Sequence, residues 1–261
     1  MAEGDVGALG VAASLLLVAI AVLLSLRGGL GLERSLAWAA ARALVQLLIV
    51  GVALAAVIDP DSPLVLSWLW VAGMLVFSAD VARRRAPEVP GLFGLAGVAF
   101  AATGVVALGT VFGLGVFPLE GRTLVPIAGL VIGNSMAATV LAARRIVEEL
   151  RDRRLEVEAR LALGQPGRQA ARPFVRSALR AALVPQIETT KAVGIVFLPG
   201  AMTGLILAGV DPVDAVLVQV VVMYLVLGSA ATATAVVAEG LVRRLFTPDH
   251  RLVRLRRPAD G

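Results

Sequence analysis

Seven long apolar stretches dominate the sequence, each close to or above the length that a helix needs to cross a bilayer. They lie near residues 7–26, 36–58, 63–82, 93–117, 123–142, 185–209 and 213–238. A hydrocarbon core about 30 Å thick takes about 20 helical residues to cross, and an α-helix satisfies all its own backbone groups in lipid. The pattern therefore predicts an all-α polytopic membrane protein with seven transmembrane helices, forming one domain over residues 1–261.

Arginine is concentrated in alternate connections between these stretches, and the exceptions are Arg42 and Arg122. The basic connections hold Arg27 and Arg34; Arg83, Arg84 and Arg85; the segment 143–184; and Arg243 and Arg244 with the tail. The others are acidic or balanced and hold Asp59 and Asp61; Glu120 and Arg122; and Asp211 and Asp214. Because arginine-rich loops stay in the cytoplasm, we expect the N-terminus outside and the C-terminus in the cytoplasm.

The long basic segment 143–184 is predicted to form a cytoplasmic helical hairpin between helices five and six. Helix five continues as an amphipathic helix, with apolar residues from Ile146 to Leu161 at helical spacing. Its predicted oppositely charged pairs, four residues apart, are Arg144–Glu148, Arg145–Glu149, Glu149–Arg153 and Glu156–Arg160. Gly164 and Pro166 should end it in a turn. A second helix then carries Arg168, Arg172, Arg176 and Arg180, a basic stripe suited either to anionic lipid headgroups or to protein docking, and returns to the membrane at Pro185.

The composition excludes several classes of function. With no cysteine and a single histidine, His250, disulfides and thiolate or imidazole metal sites have almost no ligands. Lys191, the one lysine, has no phosphate-binding glycines before it, so this chain lacks the common ATP-hydrolysing motif. No cluster of catalytic side chains supports an intramembrane enzyme. The net charge of +5 is confined to loops, so we expect a membrane lipid environment and no nucleic acid partner.

Three stretches carry polar or helix-breaking residues inside apolar segments. Helix two holds Arg42 and Gln46; helix five holds Asn134 and Ser135; helix six holds Glu188, Lys191, Pro199, Gly200, Met202 and Thr203. Polar groups in lipid are costly unless they are paired or face water, and broken backbone survives only within protein or beside a cavity. These residues therefore either line a substrate pathway or gate, or serve structural roles such as ion pairs and interhelical hydrogen bonds. Met136, Met202 and Met223 are better explained as gap-filling side chains than as metal ligands.

The order of several motifs resembles one family, the bacterial iron-export permeases and the plant aluminium-tolerance proteins. The residues that carry the resemblance are Arg42-Ala-Leu-Val-Gln-Leu-Leu, Gly133-Asn-Ser-Met, Glu158-Ala-Arg-Leu-Ala-Leu-Gly164, Lys191-Ala-Val-Gly, Leu198-Pro-Gly-Ala-Met-Thr-Gly204 and Ala208-Gly-Val-Asp-Pro212. Glu188 departs from the family, which generally has a neutral polar residue there. The resemblance implies the permease of an ATP-binding-cassette (ABC) transporter, a homodimer in a bacterial cytoplasmic (inner) membrane whose ATPase is a separate subunit.

The resemblance also assigns roles to particular residues. Glu158, Ala159 and Gly164 look like the coupling segment that ABC permeases seat on their ATPase, and we extend that segment to Arg168 and Arg172. No cofactor is expected on this chain, because ATP would bind the partner subunit. The family implies export of iron, yet the few carboxylates favour a chelated metal or metal-linked solute over a free ion. A rival interpretation is an ion-coupled secondary transporter that uses Glu188 as its protonatable group.

Overall fold

The computed structural model describes residues 8–195, 198–249 and 251–253, so Val196 and Phe197 of the predicted sixth span, and His250, lie outside it. The described part contains nine α-helices and, outside them, an isolated β-bridge between Phe246 and Leu252. The helices are α1 (Ala8–Gly28), α2 (Glu33–Val57), α3 (Leu64–Arg85), α4 (Leu92–Gly113), α5 (Gly121–Asp152), α6 (Arg154–Ala162), α7 (Gly167–Ala192), α8 (Gly200–Leu207) and α9 (Pro212–Leu245). They fall into two compact units, Met1–Ser62 and Pro63–Gly261.

Five of these helices are long and apolar enough to cross a membrane. They are α2, α3, α4, α5 and α9, which match the predicted second to fifth and seventh spans. In α1 the segment Ala12–Gly28 is also apolar but shorter. The chain is therefore a multi-pass helical membrane protein.

The predicted sixth span, residues 185–209, is not one helix. Its first part belongs to α7, which runs through Pro185 without a break, and its last part is the eight-residue α8. The interruption begins at Val193, which is extended, and continues at Gly194, where φ is +85°. It ends at Pro199, the N-cap of α8. The sequence predicted the break at Pro199 and Gly200, but the left-handed backbone at Gly194 ends α7 seven residues earlier.

Unit Met1–Ser62 is a helical hairpin held by its turn. Glycines at positive φ, Gly29 and Gly31, let the chain reverse between α1 and α2. The buried Ser25 hydroxyl donates to the Glu33 carboxylate at 3.0 Å and accepts from the Leu32 amide at 3.2 Å. These bonds satisfy polar groups in the turn and the first turn of α2.

Unit Pro63–Gly261 is a bundle with two hydrophobic clusters, one at each end. Residues from the C-terminal parts of α3, α5 and α9 share the first cluster with the N-terminal part of α4, as shown by Ala82, Leu150, Leu241 and Leu92. The second cluster joins the N-terminal parts of α3 and α5 to the C-terminal part of α4. Helices α3, α5 and α9 therefore run in the same direction, and α4 runs against them.

Helix five differs from its prediction where it leaves the apolar region. It ends at Asp152, and Arg153 (φ −105°, ψ 30°) separates it from α6, so the amphipathic helix is not continuous to Gly164. The interruption allows α6 to turn its apolar side toward the bundle, where Val157 is fully buried in the first cluster. Of the four predicted charge pairs, Glu149–Arg153 forms at 3.3 Å, whereas Arg144 pairs with Glu88 instead.

Candidate functional site

The basic connections of unit Pro63–Gly261 meet at one end of its helix bundle, which we call the arginine end. Arg144 pairs with Glu88 at 2.7 Å, and Arg168 pairs with Glu239 at 2.9 Å. The Arg244 guanidinium donates to the Gly91 carbonyl at 3.1 Å. These contacts join connections far apart in sequence, so alternate loops that the positive-inside rule groups together are also grouped in space.

The turn after α6 has the geometry that its sequence predicted. Gly164 adopts φ +83°. Its amide donates to the Leu161 carbonyl at 2.9 Å, and the Gln165 amide donates to the Arg160 carbonyl at 3.1 Å. This is a Schellman motif, which satisfies the last carbonyls of α6. Pro166 then caps the start of α7, so the segment reverses sharply within a few residues.

The two sides of α6 differ strongly in exposure. Val157 is fully buried, whereas Leu155 and Leu163 are each 82% exposed. Ala159, midway between the two leucines, is also exposed, and the spacing of four residues places all three on one face. On the neighbouring surface Glu158 accepts from Arg154 at 2.6 Å. Exposed apolar side chains at the tip of a hairpin make this surface a candidate docking site; we call Leu155, Ala159 and the C-cap residue Leu163 the α6 face.

A groove of about 870 Å³ separates α7 from α9 at the arginine end. Its α7 wall carries Arg168, Arg172, Arg176 and Arg180 beside apolar residues, and α9 contributes Glu239. The predicted basic stripe is therefore one wall of a concave surface. Of the predicted coupling residues, Arg168 and Arg172 belong to this groove rather than to the α6 face.

The predicted pathway residues of α7 form an exposed ion pair. The Lys191 ammonium lies 2.9 Å from the Glu188 carboxylate, and the two side chains are 66% and 60% exposed. The pair lies at the C-terminal end of α7, immediately before the helix ends at its extended C-cap residue, Val193. An exposed ion pair of this kind adds little to the free energy of folding. Its position beside the end of α7 is therefore a better indication of its role than its contribution to stability.

Asn134 and Ser135 bond to their own helix. The Asn134 amide donates to the Leu130 carbonyl at 2.8 Å, and the fully buried Ser135 hydroxyl donates to the Val131 carbonyl at 2.6 Å. Bonding to the carbonyl four residues earlier is a common way for such side chains to satisfy themselves in membrane helices. The Asn134 amide oxygen has no hydrogen-bond partner among the residues that the structure describes, whereas Ser135 is enclosed within the bundle.

The first turn of α8 lies at the surface. Gly200 and Thr203 are exposed, Met202 is half-buried, and the Thr203 hydroxyl donates to the Pro199 carbonyl at 3.2 Å. A Cβ added at Gly200 would meet nothing within 4 Å. The segment therefore has room for a partner or solute to approach its backbone.

Arg42 and Gln46 lie in unit Met1–Ser62, on α2. Both side chains are exposed, and the four-residue spacing places them on one face of the helix. No ionic partner of Arg42 occurs within the described residues of this unit.

The structure adds polar positions that the sequence did not single out. Thr103 of α4 and Ser229 of α9 line a smaller cavity of about 310 Å³, and their buried hydroxyls have no hydrogen-bond partner among the described residues. The side-chain oxygen of Gln219, buried in α9, is likewise without one. A glutamine inside an apolar helix could have been recognised in the sequence as a buried polar position. Single serine and threonine residues could not, because they are common in such helices. Within the described part of the chain no three acidic, histidine or cysteine side chains come together as a metal site would require.

Comparison with known proteins identifies the family. Residues 8–246 match the model described as "Uncharacterised protein family (UPF0014)". The probable iron export permease protein FetB of Escherichia coli strain K12 is 31% identical over 242 residues, which is 93% of each chain. The membrane protein STAR2 of Oryza sativa subsp. japonica is 37% identical over 231 residues, 88% of this chain and 80% of the relative.

A third relative, the protein ALUMINUM SENSITIVE 3 of Arabidopsis thaliana, is 32% identical over 225 residues, 85% of this chain and 81% of its own. No solved structure matches the chain significantly. The relatives include a probable bacterial iron export permease and a plant protein named for aluminium sensitivity, so the predicted resemblance to this family is confirmed. The chain belongs to the UPF0014 family.

Proposed function

We propose that this protein is the membrane-spanning permease subunit of an ABC transporter, driven by ATP hydrolysis on a separate cytoplasmic ATPase. The α6 face carries the proposal. A tightly capped hairpin presents Leu155 and Leu163 at its tip, each 82% exposed, while Val157 fixes the other side of the same helix in the bundle. Helix α6 packs against α5 and α7. A movement of the partner that is bound to these apolar side chains would therefore displace α5 and α7 as well.

The direction of the helices supports seven crossings. Because α5 and α9 run in the same direction, the chain from Asp152 to Pro212 must return from the arginine end to the opposite end of the bundle. In this proposal α7 and α8 together make that return, as an interrupted sixth crossing, and α1 makes the first. By the positive-inside rule the arginine end is cytoplasmic in this proposal, and seven crossings then put the N-terminus outside. A bacterial cytoplasmic membrane is proposed by similarity to the bacterial relative FetB.

An interrupted crossing suits a transport pathway. Glu188 and Lys191 stand just before the break, and Pro199, Gly200 and Thr203 just after it. Broken membrane helices are tolerated where they line a cavity, and a homodimer of this subunit would supply the second wall. The substrate class follows by similarity to the iron export permease FetB: a metal, carried as a chelate or metal-linked solute because side-chain ligands for a bare ion are few.

Co-purification from the native membrane tests the proposal. The variant Leu155→Glu/Leu163→Glu places charge on the α6 face without disturbing the buried Val157, and should abolish recovery of an ABC ATPase with the tagged protein. Leu114→Glu is the matched control, since Leu114 is 75% exposed at the other end of the bundle. Gly164→Asp should also weaken recovery, because it adds a negative charge at a helix C-terminus; Gly164→Asn, which is uncharged and occurs at this capping position in place of glycine, should weaken it less.

Recovery of no ATPase with the wild-type chain would contradict the proposal and favour an ion-coupled secondary transporter. That alternative would use Glu188 as its proton carrier. Proton-driven uptake or export in vesicles without ATP, lost in Glu188→Gln, would then be the expected result.

A further inference from the structure

The α7–α9 groove combines a row of positive charge with an apolar wall. On α7, Arg172, Arg176 and Arg180 follow one another at four-residue intervals, and Val175, Leu179, Leu183 and Ile187 form a parallel apolar row. That apolar row extends about 18 Å at 1.5 Å per residue. This is close to the depth of one leaflet, half of about 30 Å of hydrocarbon.

Three of the four arginines that line the groove have no acidic partner in the described part of the chain. Arg168 is neutralised by Glu239 at 2.9 Å, but Arg172, Arg176 and Arg180 have no acidic partner among the described residues. Their side chains are exposed, about 6 Å apart along the helix axis at 1.5 Å per residue. Three like charges along one wall repel one another unless an anion lies between them.

The chain itself offers few carboxylates to fill this need. Those at the arginine end that already take part in ion pairs are Asp80, Glu88, Glu148, Glu149, Asp152, Glu156, Glu158 and Glu239. A second copy of the chain would bring the same carboxylates, which are already paired with arginines of their own chain. Asp249 is the one carboxylate described at this end that takes part in no ion pair, and it does not line the groove. We therefore expect the counterion of the three arginines to come from another molecule.

We propose that the α7–α9 groove is a binding site for an anionic phospholipid. The phosphate lies between Arg176 and Arg180, whose guanidinium groups can each donate two hydrogen bonds to it, and an acyl chain lies against Leu179 and Leu183. A small soluble anion would satisfy the arginines but leave the apolar wall in contact with water. A zwitterionic lipid would cover the wall but supply no net negative charge.

The experiment measures lipid selectivity of the purified full-length protein. Its thermal unfolding is followed in detergent during titration with phosphatidylglycerol or phosphatidylcholine, and retained lipids are counted by native mass spectrometry. Wild type should bind phosphatidylglycerol more tightly. Arg176→Gln/Arg180→Gln should lose about 10- to 30-fold of that preference. The matched control Arg83→Gln/Arg84→Gln removes the same charge from the same end but from arginines paired with Asp80, and should keep the preference.

A second pair of variants tests the apolar wall. Leu179→Ser/Leu183→Ser should weaken binding of both lipids while the preference for phosphatidylglycerol remains. Three results would overturn the proposal: equal binding of the two lipids by wild type; stabilisation by inorganic phosphate as large as by phosphatidylglycerol; or an unchanged lipid preference in Arg176→Gln/Arg180→Gln, which would leave the arginines to a protein-docking surface. The assay involves neither transport nor ATPase, so its failure leaves the proposed permease function standing.

Discussion

At the residue scale, Gly91 shows how one backbone position joins two elements. It caps the start of α4 with φ +65°, and its carbonyl accepts from Arg244 at the end of α9. A Cβ at this position would overlap the Arg244 guanidinium. Gly91→Ala should therefore lower the free energy of unfolding by at least about 1–2 kcal/mol, the cost of a left-handed non-glycine residue.

The control for Gly91 lies on the same helix. Gly104 is helical, and a Cβ there would meet nothing within 4 Å. Gly104→Ala should be neutral or stabilising by up to about 1 kcal/mol, because alanine restricts the unfolded chain. Unfolding of both variants in detergent, followed by circular dichroism, compares them; equal loss of stability would contradict the account of Gly91.

The Glu88–Arg144 ion pair should contribute more than its neighbours do. The Glu88 side chain is only 7% exposed, and it pairs with Arg144, which follows it by 56 residues in the sequence. Glu88→Gln should cost about 1–3 kcal/mol, between the values for exposed and buried pairs. Glu148→Gln breaks a more exposed pair, with side chains 54% and 35% exposed, and should cost less than about 1 kcal/mol. Chemical denaturation of the two variants in the same detergent measures the difference.

At the scale of single elements, α6 should depend on one buried side chain. Val157→Ala removes two methyl groups from a fully buried position and should cost about 1–3 kcal/mol. It should also speed amide hydrogen exchange across Arg154–Ala162. Leu155→Ala, at an 82% exposed position of the same helix, should change stability by no more than about 0.5 kcal/mol. Similar exchange rates in the two variants would mean that α6 is not anchored through Val157.

Local signals predicted some elements well. The apolar runs located α2, α3, α4, α5 and α9, and the glycine and proline after α6 located its turn, because helix length and capping depend on neighbours in sequence. The sequence predicted the break at Pro199 and Gly200, where α8 begins. It did not predict that α7 ends already before Gly194, since a glycine inside an apolar run is also common in ordinary membrane helices. The groove could not be predicted, because its two walls come from α7 and α9, which only the packed bundle brings together.

At the scale of the whole molecule, the direction of each helix decides what the loops can contact. Three parallel helices and one antiparallel helix place the ends of α5 and α9 together, and with them the basic connections, the α6 face and the α7–α9 groove. If that end is cytoplasmic, both proposed partners, ATPase and anionic lipid, approach the same end. The ATPase would contact the tip of the hairpin, and the lipid its side.

The absence of cysteine allows a direct test of this arrangement. Single cysteines replace Leu114, Leu163 and Val210, which are 75%, 82% and 37% exposed, and intact spheroplasts are treated with a membrane-impermeant maleimide. Leu114→Cys and Val210→Cys should react at once, and Leu163→Cys only after permeabilisation. Reaction of Leu163→Cys alone would mean the inverted orientation. If Val210→Cys and Leu163→Cys were both protected while Leu114→Cys reacted, α7 and α8 would not cross the membrane. The parallel arrangement of α5 and α9 would then be wrong, because it requires a crossing between Leu163 and Val210.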